Sequence, residues 1–161
     1  MKKNSVKTNA ASIHFLDETK VHPALTEYFG YCLTKSALWL KSLHNEALRK
    51  FKIQSHHVGI LKVLDFSGPI SQIKLGDELG VDKASMVKCI DYLEQQGLVA
   101  RTGDLKDRRI KNVSLTNQGR KLLKSWMRIR PEIEDQFLKN LSSSEQKVFK
   151  NLIYRLVPNK K

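Results

Sequence analysis

Charged side chains crowd into one short stretch of this sequence, which reads DLKDRRIK. The stretch contains Asp104, Lys106, Asp107, Arg108, Arg109 and Lys111. Like charges this close together repel one another unless a group outside the chain neutralises them. A cluster of this kind is therefore suited to binding an anion, such as the phosphate backbone of a nucleic acid.

The chain as a whole is strongly basic. Its 161 residues include 29 Lys and Arg against 16 Asp and Glu, which gives a net charge of +13. This excess of positive charge favours a polyanionic partner, either a nucleic acid or an anionic membrane surface. Because 40% of the residues are hydrophobic, the chain can also form the core of one domain.

The membrane alternative has no further support in the sequence. No apolar run approaches the roughly 18 residues that a membrane-spanning helix needs. The basic start, MKKNSVKTNAAS, is not followed by the apolar stretch of a signal peptide. We therefore expect a cytoplasmic protein without a membrane partner.

Motifs for catalysis or metal binding are weak. The sequence has no glycine-rich phosphate loop and no nucleophile motif, so we predict neither an enzyme nor a cofactor. The histidines, which include the neighbours His56 and His57, form no pair at i, i+4, and no cysteine or carboxylate cluster accompanies them along the chain. We predict no metal site. The alternative is a regulatory zinc site whose ligands converge from distant segments.

Hydrophobic residues recur at steps of three and four along most of the chain, which predicts a mainly helical protein. Residues 1–22 lack this periodicity and are expected to form a flexible arm before a single domain at residues 23–161. Helical segments with wide apolar stripes are predicted at about 24–50 and 117–157. Pro131 lies within the second segment and is expected to kink or break the helix.

Capping and turn residues predict a helix-turn-helix between these segments. Ser55, Ser71 and Asp82 are each placed to cap the start of a short helix, and Gly97 is placed to end the last one. Gly80-Val81-Asp82 provides a three-residue turn between two of the helices. The second helix of such a pair is the usual reader of DNA.

A β-hairpin is predicted directly after the helix-turn-helix. Residues 98–102 and 110–115 are strand-like, and the charged stretch between them forms the hairpin tip. The predicted fold class is thus mainly α with a small β-hairpin wing, in which a winged helix-turn-helix at about 55–116 is flanked by terminal dimerisation helices. One subunit could fold both apolar stripes on itself, but a symmetric dimer would bury them better and would match a palindromic DNA site.

The segment from Ser71 to Leu123 resembles the winged helix-turn-helix core of MarR-type transcriptional regulators. The resemblance is carried by Leu79-Gly80, by Leu93 through Leu98, by Asp-Arg-Arg at 107–109, by Leu115-Thr116 and by Gly119. It implies an obligate homodimer whose first and last helices interlock. It also implies a regulator, usually a repressor, that a small molecule or an oxidant relieves. Gly76 and Val87-Lys88 depart from the common family residues, so the usual base preferences are not carried over.

The resemblance also implies which side chains contact double-stranded DNA. Arg109 is expected to enter the narrow minor groove, with Asp107 fixing its rotamer and Arg101 bracing the wing through Asp107. The side chains of the reading helix that face away from the core are expected in the major groove. The predicted DNA contacts are Ser71, Gln72, Lys83, Ala84, Ser85, Val87, Lys88, Lys106, Arg108, Arg109 and Lys111. The alternative for the residues of the reading helix and the wing is a solvated surface position, and the alternative for Ser71 is a helix cap alone.

Effectors in the family commonly lodge between the dimer helices and the winged unit. The resemblance therefore implies a pocket for a small aromatic or lipophilic effector, lined by Tyr28, Tyr31, Trp39 and His44, although ordinary dimer core is the alternative for each. Cys32 lies near the position of a peroxide-sensing cysteine in one family branch, which makes a redox-sensing regulator an alternative function. A non-specific architectural DNA-binding protein and a protein–protein adaptor are the others.

Overall fold

The computed structural model describes residue 17, residues 19–103 and residues 111–157. Its elements follow in the order α1 (Phe29–Leu48), α2 (Ser55–Ser67), β1 (Ile70–Ser71), α3 (Gln72–Leu79), α4 (Lys83–Gln95), β2 (Val99–Gly103), β3 (Lys111–Leu115), α5 (Asn117–Leu138) and α6 (Ser143–Leu156). This order confirms the predicted fold class, which is mainly α with a small β-hairpin wing. No helix within the described ranges is both long and apolar enough to cross a bilayer.

Two compact units make up the chain, and the division between them falls inside α1. The first unit ends at Trp39 and the second begins at Leu40. The predicted division, an arm at residues 1–22 followed by one domain at residues 23–161, stays a prediction. The predicted arm lies mostly outside the described residues.

In the first unit, α1 begins at Phe29 rather than near residue 24 as predicted. A 3-10 turn at Pro23–Leu25 precedes it, and the side chain of His22 accepts a hydrogen bond from the Ala24 N–H at 3.2 Å. Thr26 Oγ1 donates to the Pro23 carbonyl at 2.7 Å at the end of this turn. The prediction of an earlier start was wrong because these local side-chain bonds satisfy the backbone groups that a longer helix would need.

The core of the second unit is formed by the apolar faces of its helices and the inner face of its sheet. Its most deeply buried side chains are Leu48, Leu61, Leu64, Leu75, Met86, Ile90, Leu93, Val99 and Val113. Trp126 and Ile133 of α5 are also buried against this cluster. Because burial of apolar surface drives folding, this cluster holds α3 and α4 in place.

The ends of α3 and α4 are capped as the sequence predicts. Ser71 Oγ accepts a hydrogen bond from the Lys74 N–H at 3.2 Å, and Asp82 Oδ1 accepts one from the Ser85 N–H at 2.9 Å. Gly97 follows α4 with a φ of 69°, a backbone conformation that side chains disfavour. These caps fix where the two helices begin and end.

The start of α2 differs from the prediction. Gln54 is its N-cap, whereas the backbone N–H of Ser55 donates to Asn45 Oδ1 at 2.8 Å. The Gln54 N–H donates in turn to His57 Nδ1 at 3.1 Å. The prediction of Ser55 as the cap was wrong because a distant asparagine, whose position only the tertiary fold determines, binds this N–H group.

The strands form one antiparallel sheet in the order β1-β3-β2. Val99 of β2 pairs with Leu115 of β3, which is the predicted hairpin, and Ile70 of β1 pairs with Val113 on the other edge. The sequence predicted only an extended link at Ile70. Its pairing joins the start of α3 to the base of the wing.

The helix α5 passes through Pro131 without ending. Of the two outcomes expected at Pro131, a break does not occur, and a kink stays a prediction. Proline lacks an N–H, so the Met127 carbonyl, four residues earlier, loses its helical partner. Met127 lies on an exposed part of the helix surface.

The helix α6 begins at a capping box formed by Ser142 and Glu145. The Ser142 N–H donates to Glu145 Oε2 at 2.7 Å, and the Glu145 N–H donates to Ser142 Oγ at 3.4 Å. This reciprocal pair satisfies two backbone donors at the helix start, as a capping box does.

Candidate nucleic-acid interface

The helix α4 presents a polar surface on the side away from the core. Its apolar face, with Met86, Ile90 and Leu93, is buried. The opposite side exposes Lys83, Ala84, Ser85 and Lys88, which we call the reading surface. Val87, which was predicted with them, is half-buried. The reading surface offers ammonium and hydroxyl donors that match the acceptors of bases and phosphates.

The backbone of the turn between α3 and α4 packs closely against α3, and this contact determines the position of α4 relative to α3. The Val81 N–H donates to the Gly76 carbonyl at 2.9 Å. A Cβ atom on residue 76 would lie only 3.0 Å from the Val81 carbonyl oxygen. Glycine at this position therefore allows a tight turn between the two helices, which accounts for a residue that weakens a helix interior.

Ser71 and Gln72, both predicted DNA contacts, are half-buried at the start of α3. The Ser71 hydroxyl is engaged as the helix cap. Gln72 Oε1 accepts a hydrogen bond from Arg101 Nε at 3.2 Å. Because both side chains make bonds within the chain, a phosphate contact here would use the backbone N–H groups of the first turn of α3.

Arg101, on β2, joins the base of the wing to α4. Its Nη1 lies 2.6 Å from Glu94 Oε2 and its Nη2 lies 2.6 Å from Asp91 Oδ1. The Arg101 backbone N–H also donates to Glu94 Oε1 at 2.9 Å. The arginine side chain is 21% exposed. This network fixes β2 against α4.

The charge of Arg101 is maintained by the same network. Burial alone would lower the pKa of Arg101, but the hydrogen bonds to Asp91 and Glu94 and the charges of these carboxylates raise it. The sequence predicted that Arg101 braces the wing through Asp107, which lies outside the described residues. The structure gives Arg101 the partners Asp91 and Glu94, which the sequence analysis missed. The sequence pattern that could have indicated these partners is a pair of acidic residues, three positions apart, on a helix of a basic protein.

The strand β2 ends at Gly103 and the strand β3 begins at Lys111, and these two residues pair with each other. Both residues are exposed. The other predicted wing contacts lie outside the described residues; these are Lys106, Asp107, Arg108 and Arg109. The tip is therefore attached to the exposed end of a sheet that Arg101 holds against α4.

The predicted effector-pocket residues are divided between the two units. In the first unit, Tyr28 is exposed, Trp39 is half-buried, and the Tyr31 hydroxyl accepts a hydrogen bond from the His22 N–H at 3.0 Å. In the second unit, His44 is half-buried on α1. Each residue is described within its own unit, and a role in effector binding is still a prediction.

His44 makes an edge-to-face contact with Trp126, with ring centroids 5.3 Å apart at 85°. Its Nε2 atom is buried and has no hydrogen-bond partner among the described residues. Burial lowers the pKa of His44, the charge of Glu134 opposes this shift, and the charge of Arg130 adds to it. A neutral imidazole beside an indole ring fits the ordinary-core alternative as well as a pocket wall.

A cavity of about 310 Å³ lies in the second unit, and the predicted effector residues are not among those that line it. It is lined by Phe51, Gln96, Leu98, Gln118, Lys121, Leu122 and Ser125. Its walls combine apolar side chains with amides and one ammonium group. The sequence analysis assigned none of these residues to a pocket, because they come from separate segments of the chain.

The two cysteines have different surroundings. Cys32 is half-buried in the first unit, where its thiol donates to the Thr26 carbonyl at 3.1 Å. Cys89 is half-buried on the inner side of α4 and packs against the core. The redox-sensing role of Cys32 is still a prediction.

Cys89 also lies beside the histidine pair. The ligand atoms of His56, His57 and Cys89 all lie within 4.8 Å of one another. The sequence analysis predicted no metal site because no cysteine accompanies the histidines along the chain. The fold brings α4 against the start of α2, so that the three side chains converge.

His57 gives the protein a dependence on acidic pH. The side chain is 7% exposed and its ring stacks on Tyr92 with centroids 5.1 Å apart. Burial, followed by the charge of His56, lowers the pKa of His57 from 6.5 to about 4. Between these pH values the unfolded chain binds a proton that the folded chain does not. Protonation therefore favours unfolding in this window.

We expect the free energy of unfolding of metal-free protein to fall as the pH is lowered from 6.5 to 4 and to be independent of His57 above pH 6.5. One proton changes this free energy by at most about 1.4 kcal/mol per pH unit. Urea denaturation at several pH values measures the slope, which His57→Gln should reduce. Equal slopes for His57→Gln and the unchanged protein would contradict this assignment.

Comparisons with known proteins identify this arrangement. The model of the MarR family matches residues 54–111, which include α2, the helix-turn-helix and the first strand of the hairpin. A probable transcriptional regulator from Pseudomonas aeruginosa is 28% identical, and the match covers 83% of this chain and 99% of that one with a TM-score of 0.73.

Two further solved structures share the fold. A mutant of MarR from E. coli, complexed with operator DNA, is 22% identical over 80% of this chain and 93% of that one, with a TM-score of 0.70. Bordetella bronchiseptica BpsR, whose DNA binding is regulated by 6-hydroxynicotinic acid, is 20% identical over 88% of this chain and 99% of that one, with a TM-score of 0.71. At these identities the two structures show the fold alone. Together with the match of the family model at residues 54–111, they show that this chain shares the winged helix-turn-helix fold of MarR-family proteins.

Proposed function

We propose that this chain is a sequence-specific transcriptional regulator that binds double-stranded operator DNA as a homodimer and acts as a repressor. The observation that carries the proposal is the reading surface of α4, which is exposed next to a wing whose base Arg101 holds in place. In this proposal α4 enters the major groove and the wing enters the neighbouring minor groove.

Charge supports this choice of partner. With a net charge of +13, the chain attracts a polyanion, and each phosphate that a lysine or arginine neutralises releases counterions. Binding should therefore weaken steeply as salt is added. The operator DNA in the complex of E. coli MarR is a ligand of the same kind on the same fold.

An unpartnered apolar stripe supports the homodimer. In α6, Val148, Leu152 and Leu156 follow one another at four-residue steps and are 57%, 48% and 68% exposed. No residue of α6 is buried. A stripe of this kind marks an interface, and a two-fold symmetric pair of chains would cover both copies of it. Such a pair would present two reading surfaces to a palindromic site.

We infer that a small aromatic or lipophilic effector releases the DNA. BpsR, which shares the fold, has its DNA binding regulated by 6-hydroxynicotinic acid. An effector that binds one arrangement of the dimer more tightly would change the separation of the two reading surfaces and lower the affinity for spaced half-sites. This function requires no catalytic step and implies a cytoplasmic location, where chromosomal DNA is accessible.

Selection of bound DNA from a random pool tests the proposal. We expect a palindrome whose half-sites lie about one helical turn apart. Lys88→Ala should weaken binding to the selected site about fivefold and relax the preference at one position of each half-site. Lys139→Ala, which removes the same charge beyond the end of α5, is the matched control and should keep that preference.

The alternatives give different results in this experiment. Equal affinity for selected and random DNA would contradict sequence-specific regulation and would favour an architectural protein. Complete lack of DNA binding at low salt would favour a protein–protein adaptor. Sedimentation of the protein without DNA measures its oligomeric state. A monomer at protein concentrations well above those needed for DNA binding would contradict the proposal of two paired reading surfaces.

A further inference from the structure

We propose that His56, His57 and Cys89 form a binding site for a transition-metal ion, for which zinc is the best match. The three side chains come from two helices, and their ligand atoms already lie within 4.8 Å of one another. Imidazole and thiolate together favour zinc over the hard ions magnesium and calcium, which prefer oxygen. The site lies between the start of α2 and the inner side of α4.

The geometry is close to that of a bound site. Zinc lies about 2.0–2.3 Å from nitrogen and sulfur ligands, which places tetrahedral ligand atoms roughly 3.5 Å apart. The three atoms must therefore approach one another by little more than 1 Å at most. His56 is exposed, and its ring, whose centroid lies 4.0 Å from that of His57, can turn without disturbing the core. Three protein ligands leave a fourth position for water.

The protonation states of the two histidines suit coordination. Burial lowers the pKa of His57 to about 4 and also lowers the pKa of His56, so both imidazoles are neutral near pH 7. Burial and the charge of Asp82 raise the pKa of the Cys89 thiol. Coordination must therefore displace the thiol proton, which passes to solvent as the metal–sulfur bond forms. The negative charge of Asp82 near Cys89 favours an incoming cation. The positive charge of Lys41 near His56 opposes it.

Metal binding would change the cap of α2. His57 Nδ1 accepts a hydrogen bond from the Gln54 N–H at 3.1 Å, so the proton of the neutral ring lies on Nε2. Coordination through Nδ1 displaces the Gln54 N–H directly. Coordination through Nε2 moves the ring proton to Nδ1, where it opposes the Gln54 N–H. In both cases the local cap at residue 54 opens, and the metal joins α2 to α4 in its place.

The test uses the full-length protein, freed of metal and kept reduced. Cobalt is the spectroscopic probe, because its bond to a thiolate gives a charge-transfer absorption that nitrogen and oxygen ligands do not give. We expect one cobalt ion per chain with this absorption, its displacement by zinc, and no displacement by magnesium. The assay contains no DNA, so its outcome does not depend on the proposed regulatory function.

Three variants assign the ligands. Cys89→Ser should abolish the charge-transfer absorption, whereas Cys32→Ser, the matched control, should retain it. His56→Gln alters an exposed side chain and should fold, as circular dichroism can verify, while its zinc affinity falls at least tenfold, about the effect of losing even an outer-shell partner. No absorption with the unchanged protein, an absorption that depends on Cys32, or an unchanged affinity of His56→Gln would overturn the proposal.

Discussion

Gly119→Ala is expected to lower the free energy of unfolding by about 2–3 kcal/mol, the cost of forcing extra volume into a packed site. Gly119 lies in the first turn of α5, where the chain leaves the sheet. A Cβ atom at this position would overlap the Leu98 carbonyl oxygen and would lie 2.7 Å from Leu115 Cδ1. Neither overlap can be relieved by rotation of the new methyl group.

The Leu98 carbonyl cannot move aside at low cost. It accepts hydrogen bonds from the Thr116 N–H at 3.1 Å and from Thr116 Oγ1 at 3.1 Å. Thr116 Oγ1 also accepts the Gly119 N–H at 3.0 Å as the cap of α5. A displacement at residue 119 would therefore strain the cap and the adjoining strand together.

Thermal or urea denaturation of Gly119→Ala measures this effect, which corresponds to a decrease in Tm of roughly 5–10 °C for a chain of this size. Gly59→Ala is the matched control. Gly59 lies inside α2, and a Cβ there would have no neighbour within 4 Å. The control should stabilise the protein by about 0.5–1 kcal/mol, because alanine favours a helix interior over glycine. Equal stability of the two variants would show that the close approach at Gly119 is not tight.

The helix-turn-helix could be predicted from the sequence because its signals are local. Ser71 and Asp82 lie at the starts of their helices and bind backbone groups three residues away, so residue type and spacing are sufficient. Gly97 likewise marks the end of α4 through its own backbone conformation. The apolar face of α4 was also predictable, since helical periodicity determines which residues share a side.

The features that the sequence analysis missed depend on contacts between distant segments. The pairing of Ile70 with Val113 and the convergence of Cys89 on His57 join residues more than thirty positions apart. Local propensity contains no information on such partners. The continuation of α5 through Pro131 has the same cause, because packing of Trp126 and Ile133 on either side of the proline holds the helix together.

The candidate interface was only partly predictable for a related reason. The exposed positions on α4 follow from periodicity, and four of the five predicted side chains are exposed there. The partners of Arg101 among the described residues lie on α4 and α3, whereas the predicted partner Asp107 lies outside them, so that contact stays a prediction. Ion-pair partners across a fold cannot be chosen from charge alone when a chain offers 16 acidic residues.

Arg101→Leu is expected to lower operator affinity roughly tenfold to a hundredfold while the chain stays folded. Hydrogen bonds to charged groups contribute about 1.5–3 kcal/mol each when well formed, and partial exposure of Asp91 and Glu94 reduces that value. Without these bonds the wing base and α4 hold their relative position for a smaller fraction of the time. Apparent affinity falls in proportion to that fraction. Fluorescence anisotropy with the selected operator measures the change.

Two further variants separate bracing from a general loss of positive charge. Arg120→Leu removes an arginine that pairs with Asp65 at 3.3 Å and is 54% exposed, and operator affinity should change by less than about twofold. Arg101→Lys keeps the charge but cannot bond to Asp91, Glu94 and Gln72 together, so it should restore only part of the affinity. Full restoration by lysine would mean that Arg101 acts through its charge on the DNA. The bracing role predicts two results together. Lysine restores only part of the affinity, and Arg101→Leu has a weaker effect in a chain whose Asp91 and Glu94 have been replaced by neutral residues. Both results are required if Arg101 acts by fixing the wing to the reading helix.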